Sequence, residues 1–88
     1  MISREVEVLV KVGLHARPAA EFAKVASEAD FIVLVSRLDG QAVKANSPLR
    51  LLTLKIKQGE KIRITCGTDN VEEANKLIDR LVHTITND

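Results

Sequence analysis

The chain has 88 residues, and its thirteen Lys and Arg against twelve Asp and Glu leave a formal net charge of +1 at pH 7. That length supports one small core and a site on the surface rather than a deep cavity, so one domain spanning 1–88 is expected. The balanced charge leaves no basic footprint for nucleic acid or an anionic membrane, and two Phe with no Trp or Tyr leave almost nothing on which bases could stack. Cys66 is the one cysteine, which excludes an internal disulfide, and its place in an apolar alternating run reads as a buried thiol in a reducing compartment. No apolar run reaches the roughly 18 residues of a membrane span, and no long apolar stretch follows the charges of the first five residues. The expected location is the cytoplasm.

In chain order, Glu5 to Val10 alternates Val6, Val8 and Val10 with outward positions and predicts the first strand. Lys11 to Leu14 is a connection in which Gly13 can take the angles of a sharp turn. Ala16 to Glu28 lacks internal Gly, is rich in helix formers and spaces Ala19, Phe22, Ala23 and Ala26 for one buried face. Glu21, Lys24 and Glu28 fall on its solvated side. Phe31 to Ser36 is a continuous aliphatic run that predicts a buried strand, and Asp39-Gly40 predicts a hairpin. The return, Gln41 to Ala45, is short and polar enough for a sheet edge.

Ser47 as N-cap and Pro48 as first helical residue open a short second helix. After Gly59, Lys61 to Cys66 alternates again, with Ile62, Ile64 and Cys66 inward. Asn70 with Glu73 three residues on resembles a capping box, and Val71, Ala74, Leu77, Ile78, Leu81, Val82 and Ile85 form the apolar stripe of a last helix. His83 falls with Glu72, Lys76 and Asp79 on the opposite, solvated face. The order β-α-β-β-α-β-α defines an α+β fold: an open-faced two-layer sandwich, its four-stranded antiparallel sheet covered on one face by three helices.

Chemistry is concentrated in Gly13-Leu14-His15-Ala16-Arg17-Pro18-Ala19-Ala20. Pro18 suits the first helical turn, since its φ is already helical and its missing N–H has no partner there to lose. His15 then stands at the mouth of a helix, where the N–H groups of Ala16, Arg17 and Ala19 are expected to be unpaired and the helix dipole favours an anion. An imidazole is a nucleophile that changes charge near neutrality, and a guanidinium two residues away offers a fork for phosphate oxygens. Read alone, such a histidine is as readily a surface residue or a cap. The chain shows no phosphate-binding Gly-rich loop, no nucleophile elbow and no His, Cys and carboxylate cluster at metal spacing. A hydrolase or a kinase would need groups that are not visible, whereas a carrier of phosphate would not.

Gly13 to Ala19 resembles the active-site signature of the HPr family, the histidine-containing phosphocarriers of the bacterial phosphoenolpyruvate-dependent sugar phosphotransferase system. The stretch Asn46-Ser47-Pro48-Leu49-Arg50-Leu51-Leu52-Thr53-Leu54 is similar to the family's second signature, around a regulatory serine. The resemblance implies that His15 accepts a phosphoryl group on Nδ1 from phosphorylated Enzyme I and passes it to an Enzyme IIA component, with Arg17 on the phosphate. It implies a docking surface of Leu49 and Leu52 with Ala16 and Ala20 beside them and Lys24 and Arg50 at a basic rim. It also implies a monomer, a carrier rather than an enzyme, and no cofactor or metal. Ser47 matches the serine modified by HPr kinase/phosphorylase, although as a helix cap it needs no kinase. The chain departs from the family pattern at Pro48, at Arg50 and Lys55, which stand where glycine is common, and in one extra residue near Asp39-Gly40. Two other readings remain: a regulatory module of the same fold whose phosphorylation state controls partners without sugar uptake, and a plain ligand-binding domain.

Overall fold

The computed structural model describes residues 1–11 and 13–86. Its elements run β1 (Ile2–Glu7), α1 (Ala16–Ser27), β2 (Val33–Arg37), β3 (Val43–Lys44), α2 (Pro48–Thr53), β4 (Lys61–Cys66) and α3 (Val71–Thr86). The strands form one antiparallel sheet in the order β1-β4-β2-β3. This is the α+β fold the element order predicts, with β3 at an edge.

β4 lies between β1 and β2 and decides how long both are. Its register with β1 runs from Ile2↔Cys66 to Glu7↔Lys61, so the ladder ends at Glu7. The first strand therefore occupies 2–7, not 5–10. Val8 and Val10 are fully buried as expected, but they belong to the connection that follows: Val8 exchanges backbone hydrogen bonds with Gly59 and Glu60, and the N–H groups of Leu9 and Val10 both donate to the Ile85 carbonyl. Position 12 of that connection lies outside the described residues.

β2 starts at Val33, opposite Cys66, because β4 offers no partner further on. Phe31 and Ile32 thus precede the strand predicted to begin at Phe31. β3 is cut to the two residues that pair with Leu34 and Val35, so Gln41 and Ala42, expected in the strand, are exposed connection. α1 ends at Ser27, one residue before its expected end, and Glu28 is its C-cap.

Ile62, Ile64 and Cys66 point into a core with Val33, Val35, Phe22 and Leu51, against the buried faces of the three helices. α1 lies between the other two helices, in contact with both. Ala19, Ala23 and Ala26 are buried on it, and small side chains let it approach the sheet closely. On α3 the stripe of Ala74, Leu77, Ile78, Leu81 and Ile85 is buried, while Val82 is half-buried. Val71, expected in that stripe, is the first helical residue and is 61% exposed. Arg4 of β1 ties the sheet to α3, reaching Asp79 at 2.8 Å and Asn75 at 2.7 Å, and within the helical layer Arg80 of α3 reaches Glu28, the C-cap of α1, at 2.7 Å. Among the described residues no helix is long and apolar enough to cross a membrane.

Candidate functional site

Two glycine-dependent features bring His15 to its place. Gly13 has φ +74°, in the left-handed region, and a side chain there would run into the Ile56 carbonyl and the Lys57 backbone. The backbone of Gly13-Leu14 can therefore lie directly on the segment following α2, where the Leu14 N–H donates to the Ile56 carbonyl at 3.0 Å. The chain then turns into α1 with His15 as N-cap, its backbone extended at φ −101° and ψ −170°. The imidazole makes no capping hydrogen bond and is half-buried. A side chain that neither caps the helix nor sinks into the core remains available to another molecule.

The helix mouth differs in one respect from the sequence expectation. Ala19 is the fourth helical residue, and its N–H closes the first turn on the His15 carbonyl at 2.9 Å. It is not a free donor, since with His15 as cap the ladder begins at this position. Pro18 has no N–H, so the free donors of the turn reduce to Ala16 and Arg17. No acidic residue occupies the first turn, so no built-in carboxylate competes for the positive end of the dipole. Arg17 is exposed, and its nearest anionic partner, Glu21, stands 3.7 Å away, beyond a direct hydrogen bond. The guanidinium can swing to an incoming phosphate without giving up a strong bond.

The expected docking residues are exposed as well. Ala16, Ala20 and Lys24 follow one another at four-residue spacing along the outer side of α1. On α2, Leu49 is 74% exposed and Leu52 36% exposed with Arg50 beside them, whereas Leu51 is fully buried. Six residues thus carry one core leucine and two that face outward. α1 and α2 pack together, and only three residues after α2 ends, Ile56 meets Leu14 beside His15. The Leu52 end of this surface and His15 therefore share one end of the molecule.

Ser47 is half-buried and caps α2 as expected, its Oγ accepting the Arg50 N–H at 3.3 Å. Pro48 is the first residue of that helix. At its other end Lys55 has φ +54°, the left-handed conformation for which glycine is the usual residue, and its N–H donates to the Leu52 carbonyl at 3.2 Å. Cys66 is fully buried, and that burial pushes its thiol above its ordinary pKa against a smaller opposing pull from Arg4. Among the described residues no three His, Cys, Asp or Glu are grouped to hold a metal.

Sequence reasoning passed over Arg37 and Glu60, which brace the segment beneath Gly13. Nothing local marks them: Arg37 sits at a hairpin and Glu60 in a charged turn, and they meet only through the sheet.

A half-buried histidine at a helix mouth, an exposed arginine two residues on and an adjoining exposed leucine pair, all on an open-faced sandwich, are the features of a small surface group-carrier. Residues 2–86 match the family described as the PTS HPr component phosphorylation site. The chain belongs to the HPr family of phosphocarrier proteins. It is 39% identical over 79 residues to the HPr-like protein Crh of Halalkalibacterium halodurans, covering 89% of this chain and 93% of that one. It is 35% identical over 82 residues to the phosphocarrier protein HPr of Streptomyces coelicolor, covering 93% and 88% of the two chains. Its fold superposes on the crystal structure of HPr from Thermoanaerobacter tengcongensis with a TM-score of 0.82 at 32% identity, covering 98% of this chain and 96% of that chain.

Proposed function

We propose that this chain, as a single domain over 1–88, is the phosphocarrier of a sugar phosphotransferase system: His15 takes a phosphoryl group from phosphorylated Enzyme I and yields it to an Enzyme IIA component. The observation that carries the proposal is the uncapped His15 imidazole at a helix mouth free of acidic residues, with exposed Arg17 in the first turn of the same helix. In the neutral imidazole the Nδ1 lone pair attacks phosphorus, a P–N bond forms and the bond to the donor breaks. The Nε2 proton stays in place. The free N–H groups of Ala16 and Arg17, the helix dipole and the Arg17 guanidinium stabilise charge on the phosphoryl oxygens in the transition state. The site is open and holds the phosphate with few groups, so a second partner can remove it by the reverse chemistry. The chain is thereby a stoichiometric carrier rather than an enzyme, working as a cytoplasmic monomer without cofactor or metal.

Both partners would dock on Leu49 and Leu52, flanked by Ala16 and Ala20, with Lys24 and Arg50 meeting acidic residues at the rim. Incubation with phosphoenolpyruvate and Enzyme I tests the carrier step. Acid-labile phosphate is expected on the wild type and none on His15→Ala; an unlabelled wild type, or label undiminished in the variant, refutes it. Transfer onward to IIA with sugar phosphorylation then separates transport from a purely regulatory role. The regulatory reading is favoured by Ser47, whose hydroxyl already sits at a helix N-terminus beside Leu49 and Arg50. A phosphate added there by an HPr kinase/phosphorylase would suit the helix end while placing negative charge against the docking surface.

A further inference from the structure

The connection that supports His15 is itself held by a pair of side chains outside the transfer site. Arg37, the last residue of β2, reaches across to the end of α2: Nη1 donates to the Leu54 carbonyl at 2.9 Å and the Lys55 carbonyl at 3.3 Å, while Nη2 donates to Glu60 Oε2. The second oxygen of Glu60, Oε1, accepts the Lys57 N–H at 2.8 Å. One guanidinium and one carboxylate thus tie both ends and the middle of segment 54–60 to the rigid sheet.

That segment is the bed on which the His15 connection lies. The Leu14 N–H donates to the Ile56 carbonyl at 3.0 Å, the Val8 N–H to the Glu60 carbonyl at 2.9 Å and the Gly59 N–H to the Val8 carbonyl at 2.8 Å. Gly13 packs so closely on Ile56 and Lys57 that a Cβ has no room. A shift of Ile56 or Lys57 must therefore move Gly13 and Leu14, and through them His15.

We propose that Arg37 and Glu60 are positioning residues for phosphoryl transfer: by fixing segment 54–60 against the sheet they fix where His15 stands relative to the α2 docking face. The proposal rests on the reading of His15 as phosphoryl acceptor. Neither residue touches the phosphate. Their effect falls on the transfer step, which is sensitive to small displacements of the attacking atom, and not on docking, which Leu49 and Leu52 carry from α2 itself.

Arg37→Gln removes the charge and the fork. Arg4→Gln is the control, because it removes a comparable ion pair, between β1 and α3, that makes no bond to segment 54–60. In single-turnover transfer from phosphorylated donor, Arg37→Gln is expected to slow the transfer step roughly tenfold while the donor concentration for half-maximal rate stays unchanged. The backbone amide resonances of Gly13, Leu14 and His15 are expected to shift. Glu60→Gln keeps an oxygen for the Lys57 N–H and is expected to slow transfer less, and Arg37→Lys recovers only part of the rate because an ammonium cannot bridge two carbonyls and a carboxylate. Arg4→Gln leaves rate and amides at wild-type values.

The proposal is overturned if Arg37→Gln transfers at the wild-type rate, if it and Arg4→Gln slow transfer alike, or if the 13–15 amides do not move. Should Arg37→Gln not fold, Glu60→Gln is read against Arg4→Gln by the same criteria. A wild type that accepts no phosphate refutes the carrier function instead, and the amide shifts then decide the positioning by themselves.

Discussion

Gly13 and Arg17 set opposite requirements on the two sides of His15. Gly13 must be small and left-handed at φ +74°, since any side chain meets the Ile56 carbonyl. Gly13→Ala is expected to destabilise the fold by about 2 kcal/mol or more, read by denaturant unfolding, because strain and overlap act together. Arg17 has no structural duty of that kind: it is exposed and only loosely paired with Glu21. Arg17→Glu should therefore leave the helical circular dichroism and unfolding midpoint nearly unchanged while slowing acceptance of phosphate on His15 roughly 100-fold, since the charge proposed to stabilise the transferring oxygens becomes one that repels them. A variant that loses helical signal would count against this division of roles.

At the scale of elements, α2 is the shortest of the three helices, six residues long. Leu51 anchors it in the core, Leu49 and Leu52 face outward, Ser47 and Pro48 start it, and Lys55 ends it in a conformation suited to glycine. Lys55→Gly relieves the left-handed strain at some cost in unfolded-chain entropy and is expected to stabilise the protein by up to ~1 kcal/mol, measured by thermal or urea unfolding. The lysine also adds positive charge next to the proposed docking face. At the opposite end of the sandwich α3 begins by an exchange of caps: Asn70 Oδ1 accepts the Glu73 N–H at 3.1 Å, and Thr68 Oγ1 accepts the Asn70 N–H at 3.1 Å. The capping box expected from Asn70 and Glu73 is thus half formed, with Thr68 taking the place of the glutamate carboxylate at the cap N–H.

At the scale of the whole molecule, the buried side chains among the described residues are apolar but for Ser36, and no buried side-chain nitrogen or oxygen lacks a hydrogen-bond partner. Their one ionisable member is Cys66, whose thiol burial raises above the ordinary value. A raised folded-state pKa means that the unfolded chain releases this proton first. The contribution of the buried neutral thiol is therefore complete below the unfolded pKa, about 8.5, and is lost as pH rises through the folded value. Unfolding free energy is expected to decline above about pH 9, with a weaker decline in Cys66→Ala, and native Cys66 is expected to react with a thiol reagent only on unfolding. Equal pH slopes for the two proteins would contradict the assignment.

The order of elements, the full extent of β4, the N-cap of α2 and the stripe of α3 apart from Val71 and Val82 were legible in the sequence, because each is written in residues a few positions apart: period-two or period-3.6 apolar spacing and capping chemistry. The placing of His15 at the cap and Arg17 in the first turn of α1 was legible for the same reason. What neighbours in sequence do not carry, only the tertiary structure decided. The ends of β1 and β2 were set by the length of β4, the strand between them. The spacing of the three leucines of α2 did not tell Leu49 and Leu52 from the buried Leu51; the family resemblance implied that split, and where the core lies is what makes it. The bracing proposed for the His15 connection comes from Arg37 and Glu60, which are twenty-two or more residues away from His15 along the chain and meet each other only because β2 and β4 are neighbours in the sheet.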